Sequence, residues 1–438
     1  MKAHSVFQQI FMGQSIFHNV VFALIYIFFF DYMWENFESV VFSYEGIIYN
    51  GDVERRIIGY IVALIPVLFY RGLRQISSWV ALLIYYFGYV PCIMGLCLDL
   101  PSSTNHDVNS YYIVLCFAQI FFFLSDKSRK TINISSEKKL SLNILWFVTI
   151  ILTLILFLVF RNNMRFAGFQ EIYTLREENA NVDVAGIGYI YSWCSSFFYP
   201  FVFCYGLIKK NKKMMLIGGL LFVFLFMVMG QKADLFAPLI IMVLYYAFKW
   251  QERTQINLMA FFSVGIFAVS VVLFLNINTD WGLTVGSLLF SRTIGVSAYH
   301  MPMYLDFFAK NPYTYYSHVN FINAFTDMYP YSESIGKMVS ETGSNSNAIF
   351  WQMDGIAACG VIGVALISMV VYMFLLYLNG LSNQKSKVFV CTMILIPVIA
   401  LLNVSFFTTM VTKGVFLLFL AVWFLKIPYE DETNNYSR

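Results

Sequence analysis

The sequence predicts an all-α polytopic integral membrane protein of about twelve transmembrane helices with one large extracytoplasmic loop. Composition gives the first reason: 59% of the 438 residues are hydrophobic and only 12% are charged. A soluble chain of this length cannot hide so much apolar surface. The second reason is pattern, because nearly uncharged apolar runs of about 17–25 residues recur along the chain, as helical spans require. The third is negative: no segment alternates polar and apolar residues in the manner of a barrel strand.

In chain order, hydropathy places helices near residues 10–30, 57–72, 76–97, 110–125, 140–160, 185–207, 214–230, 235–249, 256–276, 351–378, 388–405 and 411–426. The first run has no small-residue cleavage site and continues into Asp31, Tyr32 and Met33, so it reads as a retained helix. The whole chain, 1–438, forms one membrane domain. Two connections stand out within it, an arginine-bearing loop at 161–184 and a long loop at 277–349.

Orientation follows from the basic residues. With both termini in the cytoplasm, 18 of the 28 Lys and Arg residues fall on the inner side, in short lysine-rich turns. Both named loops then face outward. The net charge of +3 is juxtamembrane and does not indicate nucleic acid. All seven cysteines lie in or beside apolar segments and show neither a disulfide framework nor zinc-ligand spacing.

An outward arginine works against the topology rule and needs another reason to be there. Arg161 and Arg165 are four residues apart, so on a helical turn both guanidinium groups would share one face, with Arg176 following. Planar, permanently charged forks suit bidentate phosphate binding. The alternatives are snorkelling to headgroups or pairing with Glu171, Glu177, Glu178 and Asp183. Lys232 and Asp234 sit in the turn from Gly230, either as a satisfied pair or as part of an anion site.

The long loop opens with Arg292 and carries 13 aromatic residues, Tyr304, Tyr316 and Tyr329 among them. Aromatic faces beside hydroxyl and amide groups are what a sugar-binding surface needs. An interfacial amphipathic helix, with Leu288, Leu289, Phe290, Tyr304, Phe307 and Phe308 toward lipid, is the other reading. Asp306, His318, Glu341 and Asp354 are the residues able to act as a general base, although Asp354 could simply cap the following span. His300 and His318 are too isolated for a metal site, and no outward carboxylate pair has divalent-ion spacing, so neither a metal nor a cofactor is expected.

These residues resemble a family. Arg292 is followed by Tyr304-Leu-Asp306-Phe307-Phe308, Asn311-Pro312, Ser317-His318, Tyr329-Pro330, Asn345-Ser-Asn347, Asp354-Gly355 and Gly360-Val-Ile-Gly363. That order is similar to the large periplasmic loop of bacterial O-antigen and capsule repeat-unit polymerases, the Wzy type. The stretch from Arg165 to Arg176, ending Tyr-Thr-Leu-Arg, is similar to their earlier arginine-bearing loop. Elsewhere only the pattern of spans agrees. Relatives carry Pro-Gly soon after the loop arginine, whereas here Ile294-Gly295-Val296 has no proline.

The resemblance implies a lipid-dependent glycosyltransferase architecture (GT-C-like) in the bacterial inner membrane. It also implies transfer of a growing glycan from undecaprenyl diphosphate to the terminal hydroxyl of an incoming lipid-linked repeat unit. Donor, acceptor and membrane lipid are the implied partners, with a chain-length regulator protein as a further one. Arg161, Arg165, Arg176, Lys232 and Arg292 would hold diphosphate. Asp306, His318 or Asp354 would be the base, with Tyr304, Tyr316, Tyr329, Asn345 and Asn347 gripping sugars. An O-antigen ligase, or a flippase for the same lipid-linked sugar, would need similar features. A membrane scaffold is the bland alternative. No internal repeat of the transporter kind is visible.

Overall fold

The computed structural model describes residues 15–100, 107–127, 141–168, 171–180, 182, 184–340, 351–381, 387–401 and 404–425. Asn345 and Asn347 lie outside them, as does Glu341. Among the described residues the chain is helical and has no β-strand. Among the described residues, eight helical stretches are long and apolar enough to cross a membrane: Ile16–Val41, Ile76–Leu98, Val108–Lys127, Asn143–Phe160, Lys212–Met229, Lys232–Thr254, Leu258–Asn276 and Trp351–Leu381. The chain is a polytopic membrane protein of helices.

The other four expected spans are also helical, but shorter or interrupted. Val53–Leu64 tightens into a 3-10 turn, Ile65–Phe69, at Pro66. Ile187–Trp193 widens into a π turn, Cys194–Phe198, just before Pro200. Lys387–Leu401 and Val415–Phe424 are apolar but brief. Proline explains part of this irregularity, because it has no N–H for the carbonyl four residues back. Pro91 leaves the Phe87 carbonyl without its helical donor, and the Ser297 hydroxyl donates to that carbonyl at 3.1 Å.

The chain divides into two compact units. The first is Met1–Arg129 with Thr254–Asn379 and Leu401–Phe406; the second is Lys130–Arg253 with Gly380–Ala400 and Phe407–Arg438.

In the first unit, Ile76–Leu98 is the most buried span and acts as its pillar. The helices Ile16–Met33 and Leu258–Asn276 are tied by Asn257 Nδ2 donating to Asn19 Oδ1 at 2.6 Å and Ser263 Oγ donating to the Phe22 carbonyl at 2.5 Å. The long loop is itself largely helical: Asp280–Gly286, a π segment Ser287–Gly295, then Val296–Lys310, Asn320–Thr326 and Ile335–Val339. Val296–Lys310 packs directly on the pillar. Gly95 permits this, because a Cβ there would sit 2.8 Å from the Ala298 Cα. Close approach through small residues is how membrane helices gain packing without a hydrophobic drive. Phe290, Tyr304 and Phe308 are therefore buried, and of the residues expected to face lipid only Leu288 and Leu289 are strongly exposed.

In the second unit, Tyr199–Ile208 and Lys212–Met229 approach through Gly206 and Gly218, whose added Cβ atoms would meet Met215 and Phe203. The arginine-bearing loop docks on the end of Lys212–Met229 through a small core of Ala167, Ile172, Leu175 and Phe226. Its backbone is fixed there by Arg165 N–H donating to the Met227 carbonyl at 3.2 Å.

Candidate active site

The stretch Trp351–Leu381 reads from hydropathy as one span with Asp354 in its first turn, but it is two helical limbs. The backbone leaves helical geometry at Cys359 and Gly360. Gly360 has φ +62° and ψ −138°, a conformation essentially reserved for glycine. The chain then doubles back. A Cβ on Gly355 would come within 2.5 Å of the Val364 Cα, and Trp351 Nε1 donates to Ser368 Oγ at 2.9 Å. Residues nine apart in one straight helix would be roughly 13 Å apart. Gly355 and Gly363 thus supply the two bare surfaces against which the limbs lie.

Breaking a helix exposes carbonyls that need donors. Here the Ala357 carbonyl accepts from Thr314 N–H at 2.8 Å and the Ala358 carbonyl from Tyr315 N–H at 3.1 Å. The loop that supplies these donors bends through Tyr315 and Tyr316, with φ of 48° and 66°. Left-handed conformations in two successive tyrosines cost of order 1–3 kcal/mol each and persist only where the surroundings dictate them.

That loop also delivers His318 to Asp354. Their side chains are 1% and 0% exposed, and His318 Nε2 lies 2.6 Å from Asp354 Oδ1. Asp354 Oδ2 accepts from Ser405 Oγ at 3.1 Å, and His318 Nδ1 is 2.7 Å from Thr314 Oγ1. Since Thr314 N–H already serves the Ala357 carbonyl, the threonine hydroxyl can donate to Nδ1, leaving Nε2–H to donate to the carboxylate. If the hydroxyl instead serves the Ala357 carbonyl at 2.9 Å, Nδ1 donates to it. Both arrangements fix the ring with Nε2 against Asp354. Such an oriented pair can store or pass a proton, as general acid–base chemistry requires. Two of the four base candidates, His318 and Asp354, are thereby brought together. Asp306 stands apart on Val296–Lys310, where its charge is felt by Asp99.

The expected sugar contacts fare differently. Tyr304 is wholly buried against Phe308, with its hydroxyl held well above its ordinary range by burial first and by the charge of Asp354 second. Tyr316 is half-buried, its ring 5.9 Å from His318, and burial pushes its hydroxyl up as well. Tyr329 is partly exposed and donates to the Glu333 carbonyl at 2.8 Å.

Arg292 is exposed on the π segment Ser287–Gly295 and has no hydrogen bond or ion pair with other described residues. Beside it, Ser291 Oγ donates to Glu38 Oε2 at 2.6 Å. Glu38 ends a second π turn, Trp34–Glu38, and is buried. A π turn inside a helix is often found at functional positions, and here one buried carboxylate links two of them. Nothing local in the sequence singles out Glu38 as the buried link between these segments.

A second missed group is Asp31. Buried near the end of its span, its Oδ2 accepts from Arg56 Nε at 3.0 Å and Nη2 at 2.7 Å, and from Tyr60 Oη at 2.9 Å. The signal for it was present: a lone acid in an apolar run is costly and calls for a partner.

In the second unit, residues 161–168 are turn and extended chain, so Arg161 and Arg165 do not share a helical face. The helix stops at Phe160, where Asn162, Asn163 and Gly168 are poor continuations. Arg161 is exposed. Arg165 forks onto Glu178 at 2.6 and 3.1 Å, and that hydrogen bonding holds the Glu178 carboxyl below its ordinary range. Arg176 is half-buried and donates from Nη2 to the Gly230 carbonyl at 3.0 Å. Lys232 is exposed, while its neighbour Asp234 is buried and accepts from Ser195 Oγ at 2.5 Å and from the Tyr191 hydroxyl. The charges of Lys413 and Arg176 reach Asp234. No group of three or more His, Cys, Asp or Glu residues able to hold a metal occurs among the described residues.

Comparison with protein-family models, with curated proteins and with solved structures returns no match for this chain.

Proposed function

We propose that the protein polymerises lipid-linked oligosaccharide repeat units, as the O-antigen and capsule polymerases do. It would work by metal-independent glycosyl transfer at the outer face of a bacterial inner membrane. In this reading the chain crosses the membrane about twelve times, has both termini in the cytoplasm, and carries a GT-C-like architecture. What supports it is one convergence. Three of the short motifs behind the family resemblance, Ser317-His318, Asp354-Gly355 and Gly360-Val-Ile-Gly363, are separated in sequence yet meet at the broken helix, with His318 2.6 Å from Asp354.

The chemistry suits such a site. A glycosyl diphosphate carries its own leaving group, so the protein must neutralise developing charge, take a proton from the acceptor hydroxyl and align the two substrates. Arg292, exposed in the unit that holds His318 and Asp354, is the cation offered to diphosphate there. Arg165 and Arg176 instead shape their loop, through Glu178 and Gly230. His318, backed by Asp354, receives the acceptor proton once loop 313–318 releases Nδ1 from Thr314.

The test is a gel of surface polysaccharide from a host with the gene deleted and then restored. A polymerase leaves single repeats on the lipid anchor and no ladder. Polymer stranded on the carrier lipid would mean a ligase. Single units trapped inside would mean a flippase, and either result would sink the reading.

A further inference from the structure

A cavity of about 480 Å³ opens at the turn of the broken helix, within the size range of small-molecule sites, about 300–1,000 Å³. Its lining includes Asp107, Tyr111, Phe308, Tyr313, Ile356 and Cys359. Phe308 and Tyr313 belong to the 13 loop aromatics read as a sugar-binding surface, whereas Asp107, Tyr111, Ile356 and Cys359 were not singled out for binding, and the His318–Asp354 pair is not part of the lining.

Three features of the lining match one ligand chemistry. Buried Phe308 and exposed Tyr313 stack with ring centroids 6.0 Å apart and planes 18° apart, which fixes the Tyr313 ring as an apolar face. The Tyr111 and Tyr313 hydroxyls flank Gly360: a Cβ placed there would lie 3.5 and 2.8 Å from them. Neither hydroxyl makes a hydrogen bond with another described residue. Asp107 adds an exposed carboxylate, held in place by the Ser110 hydroxyl and backbone N–H. An aromatic platform, two free hydroxyls and a carboxylate together address a ring with one C–H face and a rim of hydroxyls. A lipid tail would use the platform and leave the polar groups without partners. A phosphate would be repelled by Asp107.

We propose that this cavity is a saccharide subsite that seats one sugar of the glycan beside the His318–Asp354 pair. The inference rests on the glycan-polymerising reading and names the part of the substrate taken here. The coupling to the pair is covalent and short. Tyr313 precedes Thr314, which binds both the Ala357 carbonyl and His318, and Cys359 ends the limb that carries Asp354. A sugar on Tyr313 therefore presses on the strained loop Tyr315–Tyr316 that holds His318. Gly360 is required at the turn by its backbone conformation, and a Cβ there would also enter the space between the two hydroxyls.

Cys359 supplies the test, since it alone of the seven cysteines is not buried. The full-length protein is purified in detergent and labelled with a hydrophilic maleimide, with Cys359→Ala as the blank. The probe is the oligosaccharide repeat released from the host's own surface polysaccharide. Inorganic pyrophosphate and a free polyprenol serve as comparators. Oligosaccharide at ten times its Kd should slow Cys359 labelling about tenfold, by mass action. Asp107→Asn keeps the helix cap, and Tyr313→Ala changes an exposed side chain. Both should label at the normal rate and lose the protection.

No protection by oligosaccharide, equal protection by polyprenol or pyrophosphate, or failure of Cys359 to label at all would each overturn the subsite. The polysaccharide gel separates this from the polymerase reading. A deletion that leaves the ladder intact while oligosaccharide still protects Cys359 removes that reading and keeps the subsite. A lost ladder without protection does the reverse.

Discussion

His318 Nε2 and Asp354 Oδ1 lie 2.6 Å apart, both buried, on segments separated by 36 residues. Asp354→Asn keeps the shape but replaces the acceptor charge. The histidine N–H must then compete for a single amide oxygen that Ser405 also uses. An unsatisfied buried donor costs about 1–3 kcal/mol. A double-mutant cycle of Asp354→Asn with His318→Gln should therefore show coupling of about 1 kcal/mol or more in thermal unfolding. Under the proposed function both single variants also lose the polysaccharide ladder. Additive losses in stability would mean that the two residues do not act as a pair.

Glycine substitutions test the fold-back. Gly355→Ala and Gly363→Ala push a methyl into the opposing backbone, and Gly360→Ala forces a side chain into a glycine-only conformation. Overpacking and backbone strain of this kind each cost about 1–3 kcal/mol. The expected result is a lower Tm in detergent for all three. Gly265→Ala, whose added Cβ would meet nothing within 4 Å, serves as the control and should leave Tm unchanged.

Arg56 and Asp31 predict a rescue. Arg56→Ala strands a buried carboxylate, and breaking such a pair costs up to about 3–5 kcal/mol, less here because Arg56 is partly exposed. Adding Asp31→Asn to Arg56→Ala removes the stranded charge, so the double variant should be more stable than Arg56→Ala alone. Equal stability would show that the pair carries no buried-charge penalty.

The arginine loop and Arg292 should behave differently from one another. Arg165 and Glu178 form a forked pair, so exchanging them (Arg165→Glu with Glu178→Arg) should restore whatever loop docking either single change loses. A polysaccharide ladder that returns with the exchange assigns Arg165 to the loop. One that stays lost assigns it to substrate. Arg292 has no protein partner among the described residues, so Arg292→Ala should leave Tm unchanged while shortening or abolishing the polymer.

The outline of the spans was legible because apolar runs are local. The fold-back within one of them was not. Hydropathy sees 351–381 as one stretch, and only the spacing of Gly355, Gly360 and Gly363 carried a sign that the helix folds on itself. The base candidates His318 and Asp354 were readable as types, but their meeting depends on Thr314 and Tyr315 capping a broken helix, a tertiary event. Tyr304 looked like a surface aromatic because nothing in its own segment shows that Gly95, two hundred residues away, admits its helix to the core. The shared face expected for Arg161 and Arg165 failed for a local reason, since the helix ends at Phe160.

Asp99 gives a pH dependence of defined sign. Buried beyond the end of Ile76–Leu98, its carboxyl is pushed from 3.8 up to about 8, mainly by desolvation, against the lowering effect of the Ile48 N–H at 2.8 Å. The charges of Glu38 and Asp306 raise it further. A pKa raised on folding means that the folded state binds the proton more tightly than the unfolded state. Its contribution to stability is therefore complete below about pH 4 and declines as pH rises through about 8. Asp99→Asn keeps an acceptor for Ile48 and removes the titration. Wild-type Tm should fall relative to the Asn variant between pH 5 and pH 8, while the two converge near pH 4. Parallel curves across that range would place the Asp99 carboxyl in a solvated environment, with the Ile48 contact open to water.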